Sequence, residues 1–142
     1  MEQKSKSTLA LMEQVIMILV FAFTAAFCVQ AFVKAELLSR ELGKRDRAVN
    51  ICQTVAETVK ALQGDMELAA LSLNGSVRGN GLVLFFDDNW ENAAEENAVY
   101  MLQLYYIEET PYLALGEVTV SSGEGEEIFS LPISWQKEVA YE

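Results

Sequence analysis

The sequence contains no histidine, and this absence removes the residue that serves most often as a general base and as a zinc ligand. The serines therefore have no histidine partner for a catalytic triad. A phosphate-binding loop is also missing, because the glycine-rich stretch 75–81 lacks the Lys-Ser/Thr pair and the strand-then-helix setting of such loops. We predict a protein that is not an enzyme and that needs no cofactor.

Cysteine is scarce as well, with two residues in the whole chain. Cys28 lies in an apolar run, and Cys52 follows 24 residues later on what we predict to be the same helix. At 1.5 Å per residue the two would be about 36 Å apart, which is too far for a disulfide within one chain. We predict that both are apolar packing residues, and a bridge between two chains is the alternative.

Charge is absent from residues 15–33, a run of 19 residues. This length matches the roughly 20 apolar residues that an α-helix needs to cross a bilayer. A helix buried in a soluble core is the alternative, but the remaining chain is too short to surround it. A signal peptide is another alternative, although the run exceeds the usual apolar core of about 7 to 15 residues. We predict a retained membrane-spanning helix over residues 9–33, preceded by a short basic segment, 1–8.

The charges that do occur are unevenly distributed. Residues 1–47 carry seven Lys or Arg and five Asp or Glu, whereas residues 48–142 carry three and sixteen, a net charge of −13. An acidic surface repels phosphate groups of nucleic acids and anionic lipids. We therefore predict that the C-terminal domain binds no nucleic acid directly.

Beyond residue 33 the pattern becomes amphipathic, and we predict that the helix continues over residues 34–64. Its apolar residues recur at helical spacing: Leu38, Leu42, Val49, Cys52, Val55, Val59 and Leu62. Gly64 and Asp65 indicate a helix stop followed by an N-cap, which predicts a short second helix over residues 66–73, ended by Asn74 and Gly75.

The remaining sequence is typical of strands joined by turns. We predict strands over 82–86, 99–108, 113–121 and 128–139, with the last interrupted near Pro132. Three or four antiparallel strands in meander order would leave one apolar face for the amphipathic helix to cover. The predicted fold class is α+β, a long N-terminal membrane-spanning helix packed on a small antiparallel β-meander, with an acidic α+β globular part over residues 65–142.

An acidic cluster follows the first predicted strand and raises the question of calcium: Asp87, Asp88, Asn89, Glu91, Glu95 and Glu96. It lacks the glycine and the closing glutamate of an EF-hand loop. The preferred interpretation is a solvated turn in which Asp87 or Asn89 caps the following segment, and calcium is the alternative. We assign the nearby aromatic residues to the sheet core: Phe85, Phe86, Trp90, Tyr100, Tyr105 and Tyr106.

The N-terminal segment resembles that of type IV pilins and type II secretion pseudopilins. Residues 9–20, Leu-Ala-Leu-Met-Glu-Gln-Val-Ile-Met-Ile-Leu-Val, carry the resemblance. In that family a short basic leader precedes an apolar helix with glutamate at its fifth mature position, and the helix continues into a domain with an antiparallel sheet. Glu13 matches this glutamate, which implies a mature chain that begins at Leu9 after cleavage following Thr8. The family usually has Gly before the cut and Phe or Met after it.

The resemblance implies a function. Glu13 would pair with the N-terminal amine of a neighbouring subunit, and the partners would be the lipid bilayer, other pilin-like subunits and a prepilin peptidase. Without the resemblance, Glu13 would be a carboxylate in the headgroup layer, where charge costs less than at the bilayer centre. We predict a structural subunit of a type IV pilus, secretion or DNA-uptake filament. The alternative is an unassembled single-pass membrane protein with an extracytoplasmic interaction or sensor domain.

The two cues to topology disagree. Lys4 and Lys6 precede the apolar run, but five basic residues follow it, so the positive-inside count favours a cytoplasmic C-terminal side: Lys34, Arg40, Lys44, Arg45 and Arg47. The arrangement in the family is the reverse. We adopt the family's arrangement, with a cytoplasmic N-terminus and an extracytoplasmic domain.

Overall fold

A computed structural model describes the backbone of residues 2–137 and the side chains of residues 6–137. The chain divides into two compact units, Met1–Leu42 and Gly43–Glu142, of which the second is called the globular unit below. Helix α1, Glu2–Ala61, supplies the first unit and the opening segment of the second.

Helix α1 begins seven residues before the start at Leu9 that the sequence predicts. Lys, Glu and Gln in the leader-like segment are good helix formers, so nothing in its composition stops the helix there. The C-terminal end of α1 agrees with the helix stop predicted at Gly64. Gly64 has a φ of +84°, and its N–H donates to the carbonyl of Val59 at 2.9 Å, which closes the last turn.

Helix α2, Met66–Leu73, confirms the predicted short helix and both of its caps. The Oδ1 atom of Asp65 accepts hydrogen bonds from the backbone N–H groups of Glu67 and Leu68, at 3.1 and 3.0 Å. At the other end Asn74 takes a left-handed conformation with a φ of 54°, and the N–H of Gly75 donates to the carbonyl of Ala70.

The sheet has five antiparallel strands in the order β1-β2-β3-β4-β5, a meander. The strands are β1 Ser76–Arg78, β2 Gly81–Phe86, β3 Tyr100–Glu109, β4 Leu113–Ser122 and β5 Glu127–Gln136, with a 3-10 turn at Glu95–Asn97. The α+β class and the meander confirm the prediction, but the expected count of three or four strands is wrong. The additional strand, β1, is three exposed residues long and has no apolar pattern.

Strand β5 also differs from the prediction, because Pro132 does not interrupt it. Pro132 pairs with Glu117 of β4, and β5 lies at the edge of the sheet. Proline lacks the backbone N–H donor. An edge strand has a partner strand on one side only, so a proline is tolerated there where the missing N–H would face the open side. The strand ends at Gln136, so Lys137 is not part of it, and the rest of the predicted continuation, residues 138 and 139, lies outside the described residues.

One hydrophobic core joins α1, α2 and the inner face of the sheet. From α1 it takes Cys52, Val55 and Val59, as predicted, together with Ala48 and Ala56. Leu38 and Leu42 were predicted on the same face but are exposed. Ala48 and Ala56 are small, so a periodicity of large apolar residues does not reveal their place in the core.

Candidate functional site

The first unit is unusual because its apolar side chains are exposed. Every large apolar side chain of α1 from Leu9 to Leu42 has between 52% and 79% of its surface accessible. Burial of such a side chain is worth about 1.5–3 kcal/mol, so the stretch would be strongly disfavoured in water. The segment Lys6–Ala61 contains a stretch long and apolar enough to cross a membrane. These side chains therefore need a lipid or protein environment, which residues 6–137 do not supply.

Within the apolar stretch, polar groups are few. The hydroxyl of Thr24 donates to the carbonyl of Val20 at 2.8 Å, so this polar group is satisfied inside the helix. Glu13 is the only charged residue between Leu9 and Val33. Its side chain is exposed, and none of the ion pairs among the described residues includes it. A carboxylate in this position is open to a cation from outside the chain.

The predicted cleavage site, Thr8 and Leu9, lies inside α1, and both side chains are exposed. Hydrolysis of this peptide bond would require the first turns of α1 to unwind, because a peptidase needs access to the carbonyl that the helix engages. Helix ends open at low free-energy cost, so such unwinding is feasible near residue 8. Cleavage and the role of Glu13 both stay predictions.

The acidic cluster after β2 forms a turn. The Oδ1 atom of Asp87 accepts hydrogen bonds from the backbone N–H groups of Asn89 at 2.8 Å and Glu91 at 3.0 Å, which confirms the predicted capping by Asp87. Glu95 lies further along and forms an ion pair with Arg78 at 2.5 Å. Across the described residues, the structure places no three Cys, Asp or Glu side chains together in a way that could hold a metal ion. The calcium alternative gains no support.

The aromatic residues assigned to the sheet core divide between its two faces. Phe86 and Tyr100 are buried, and Trp90 and Tyr106 are packed against the core. The assignment is wrong for Phe85 and Tyr105. Phe85 lies beneath the guanidinium of Arg78, which is 5.5 Å from its ring centroid, and Tyr105 is 46% exposed. Both alternate out of the core because successive residues of a strand point to opposite faces.

Tyr105 has a polar partner on this outer face. Its hydroxyl donates a hydrogen bond to a carboxylate oxygen of Glu117, the residue opposite it on β4. The bond lowers the pKa of Glu117 and raises the pKa of Tyr105. Ser130, on β5, also hydrogen-bonds Glu117 and lowers its pKa further. Tyr105, Glu117 and Ser130, from three neighbouring strands, are thus joined by hydrogen bonds on the outer face.

The two cysteines are free, as predicted. Cys52 is fully buried in the core, and desolvation raises its pKa to about 12, so it acts as an apolar packing residue. Cys28 is exposed on the first unit, where the prediction of a packing role depends on what surrounds α1.

A scan against protein-family models, a search of curated proteins and a search of solved structures each return no match for the chain. The resemblance to pilins and pseudopilins therefore depends on residues 9–20 and on the layout of a long N-terminal helix packed on an antiparallel sheet.

Proposed function

We propose that the protein is a pilin-like or pseudopilin-like structural subunit, anchored in the cell membrane by α1 and able to assemble through it into a filament. The observation that carries the proposal is the exposed apolar surface of α1 between Leu9 and Val33, with Glu13 as its only charge. The same helix covers the sheet of the globular unit with Cys52, Val55 and Val59. One element thus provides both an anchor and a support for the domain.

The apolar side chains of α1 suit two environments. In the bilayer they contact lipid, and in a filament they contact the equivalent side chains of neighbouring helices, so the transfer between the two exchanges one apolar contact for another. Glu13 favours the filament over the bilayer, because its carboxylate is poorly placed in lipid. In the filament it would pair with the N-terminal amine of a neighbouring mature chain. Removal of residues 1–8 would bring that amine to Leu9, four residues from Glu13.

The globular unit would lie outside the cytoplasm, with the N-terminus of α1 inside. Its surface is strongly acidic, which favours solubility. It would form the exposed surface of a type IV pilus, secretion or DNA-uptake filament, while assembly depends on α1.

The proposal is tested by the intact mass of the protein purified from cells with and without a prepilin peptidase. Loss of residues 1–8 in the presence of the peptidase is the expected result. In the same cells, Glu13→Ala should reduce the amount recovered in sheared surface fractions while leaving the membrane level unchanged. Glu57→Ala is the matched control, since Glu57 is an exposed glutamate on the same helix but outside the apolar stretch.

A second candidate function is an anchored interaction or sensor module that stays in the bilayer. Thr8 favours it, because the family's peptidase prefers Gly, Ala or Ser at that position. A full-length mass in peptidase-containing cells, together with equal recovery of the Glu13→Ala and wild-type proteins, would exclude assembly by way of a processed N-terminus and leave an anchored protein that stays in the bilayer.

A further inference from the structure

Helix α1 has two apolar parts that are joined by a polar part. Residues 15–33 form the charge-free stretch that is long enough to cross a bilayer, and the hydrophobic core holds the helix from Ala48 onward. The residues between these two parts, 34–47, are called the linking segment below, and they are exposed at every position. The linking segment is 14 residues long, which corresponds to about 21 Å of helix.

Few interactions hold the linking segment in its helical form. A helix of about 12 to 15 residues is only marginally stable in water, and packing normally supplies the rest of its stability. Among the described residues, the one side-chain hydrogen bond or ion pair within this segment joins Arg40 to Glu36 at 2.7 Å. Arg40 and Lys44 are like charges four positions apart, which disfavours the helix. The linking segment therefore depends mainly on its own backbone hydrogen bonds.

Gly43 lies inside the linking segment and is its weakest position. Glycine loses more backbone freedom in a helix than any other residue, and it leaves the neighbouring hydrogen bonds open to water. A Cβ atom at this position would meet nothing within 4 Å, so packing gives no reason for a glycine there. The division of the chain into two compact units falls at the same place, between Leu42 and Gly43.

We propose that Gly43 is a hinge at which α1 opens locally, so that the globular unit can change its direction relative to the first unit. Hinges are a few positions that absorb large changes in φ and ψ while the parts on either side keep their structure. The N–H and C=O groups released by such an opening would be hydrated, because the linking segment is exposed.

The same opening is disfavoured elsewhere in α1. Within a bilayer, residues 15–33 would leave the released backbone groups without water. In the part of α1 that the core holds, an opening would separate Cys52 and Val55 from their apolar neighbours. Bending is therefore confined to the linking segment.

This inference goes beyond the proposed filament function and does not depend on it. The hinge requires only that residues 15–33 and the globular unit are each held by their own surroundings. That condition is the same for a chain in a filament and for a chain that stays in a bilayer.

The test is double electron–electron resonance of the full chain in a nonionic detergent. Cys28→Ser leaves the buried Cys52 as the only native cysteine, and spin labels are attached at Lys34→Cys and Glu57→Cys, two exposed positions of α1 on either side of Gly43. In an unbroken helix these positions are about 35 Å apart. The chain with Gly43 should give a broad distribution of distances that extends below this value, and Gly43→Ala should narrow the distribution.

A matched control moves the glycine along the same helix. In the double variant G43A/Q53G, the new glycine takes an exposed position in the part of α1 that the core holds. Its distances should be as narrowly distributed as those of the Gly43→Ala chain. A second label pair, Glu57→Cys with Glu124→Cys, lies within the globular unit and should be unaffected by Gly43→Ala. Circular dichroism of each variant reports whether it is folded.

Amide hydrogen exchange gives a second measure of the same opening. Residues 40–47 should exchange faster than residues 50–59, which belong to the part of α1 that the core holds. After correction for intrinsic exchange rates, Gly43→Ala should slow exchange in residues 40–47 about two- to fivefold, because it removes the cost of a glycine in a helix interior.

Distance distributions of the same width in the wild-type and Gly43→Ala chains would overturn the inference. A broad distribution in the G43A/Q53G chain would do the same, since flexibility would then follow a glycine anywhere in α1. The proposed function fails separately. A chain that is never recovered in filaments, but whose distances narrow on Gly43→Ala, would keep the hinge and remove the filament.

Discussion

The indole ring of Trp90 stacks on the phenol ring of Tyr100, with ring centroids 4.0 Å apart and ring planes 8° from parallel. Tyr100 is buried in the core, and Trp90 closes the turn that Asp87 caps. To reach this position Trp90 adopts a φ of +64°, a left-handed conformation that a bulky side chain rarely takes. The ring contact thus offsets backbone strain in the connection between β2 and β3.

We expect Trp90→Ala to lower the free energy of unfolding by about 2–3 kcal/mol, somewhat less than for a fully buried tryptophan. Trp90→Gly removes the same ring but relieves the positive φ, so it should be more stable than the alanine variant by about 1 kcal/mol. Urea unfolding of the full chain in detergent, followed by far-ultraviolet circular dichroism, measures both values. An alanine variant as stable as the glycine variant would show that the backbone carries no strain there.

We expect a Gly→Ala substitution to have opposite effects on stability at two positions. A Cβ atom at Gly64 would lie 2.0 Å from Nε1 of Trp135, and Gly64 has a φ of +84°, so Gly64→Ala should destabilise the fold by about 3 kcal/mol or more. Gly43 lies within α1, and a Cβ atom there meets nothing within 4 Å. Gly43→Ala should therefore stabilise by about 0.5–1 kcal/mol. Thermal unfolding of the two variants side by side checks both signs.

Burial of Cys52 predicts slow alkylation and a dependence of stability on pH. Because burial raises the pKa to about 12 from 9.0, the thiolate fraction near pH 8 should fall roughly 1,000-fold relative to the unfolded chain. In a Cys28→Ser background, mass spectrometry after iodoacetamide treatment should show Cys52 labelled only when urea is present. Labelling at equal rates with and without urea would contradict the buried position.

The same shift in pKa has a defined sign for stability. The folded-state pKa of Cys52 is above its unfolded value, so its contribution is fully present below pH 9 and is lost as the pH rises towards 12. A Cys52→Ala chain should lack this loss, although it is less stable overall because it leaves a cavity. Urea midpoints between pH 8 and pH 11 compare the two chains.

The hydrogen bond between Tyr105 and Glu117 predicts a shift in carboxyl titration. Tyr105→Phe removes the main cause of the lowered pKa, so the pKa of Glu117 should rise towards its ordinary value. Ser130→Ala removes the second cause and should produce a smaller rise. Carbon-13 NMR of the glutamate side-chain carboxyls measures both. The bond favours the ionised carboxylate of Glu117 over the protonated form. Its contribution to stability is therefore present at neutral pH and is lost as the pH falls through the pKa of Glu117.

Much of the fold follows from local signals in the sequence. Asp65 and Asn74 bound α2 as their chemistry predicts, since a carboxylate satisfies free N–H groups and asparagine tolerates a left-handed conformation. The alternation of large apolar residues correctly predicts β3 and β4 to within one residue at each end. These features depend on neighbours in the sequence.

The features that sequence patterns miss depend on tertiary context. Strand β1 is short and exposed, and it exists because Val77 pairs with Leu82 on β2. Pro132 is compatible with β5 only because that strand is at an edge. Ala48 is buried as a member of the core that α1, α2 and the sheet form together, and its own small side chain gives no signal of this in the sequence. Of the candidate site, the structure confirms one helix that is long and apolar enough to cross a membrane, while the roles of Glu13, Thr8 and Leu9 stay predictions.

The order of the strands has a consequence for how the chain folds. Each strand pairs with the strand just before it in the sequence, so every ladder joins neighbouring segments of the chain at low entropic cost. The helical face formed by Ala48, Cys52 and Val55 precedes all five strands in the sequence, so it is synthesised before them. The sheet can therefore grow on an existing template, one strand at a time, from the N-terminal to the C-terminal end. The domain could therefore begin to fold during synthesis, before its last strand has been made.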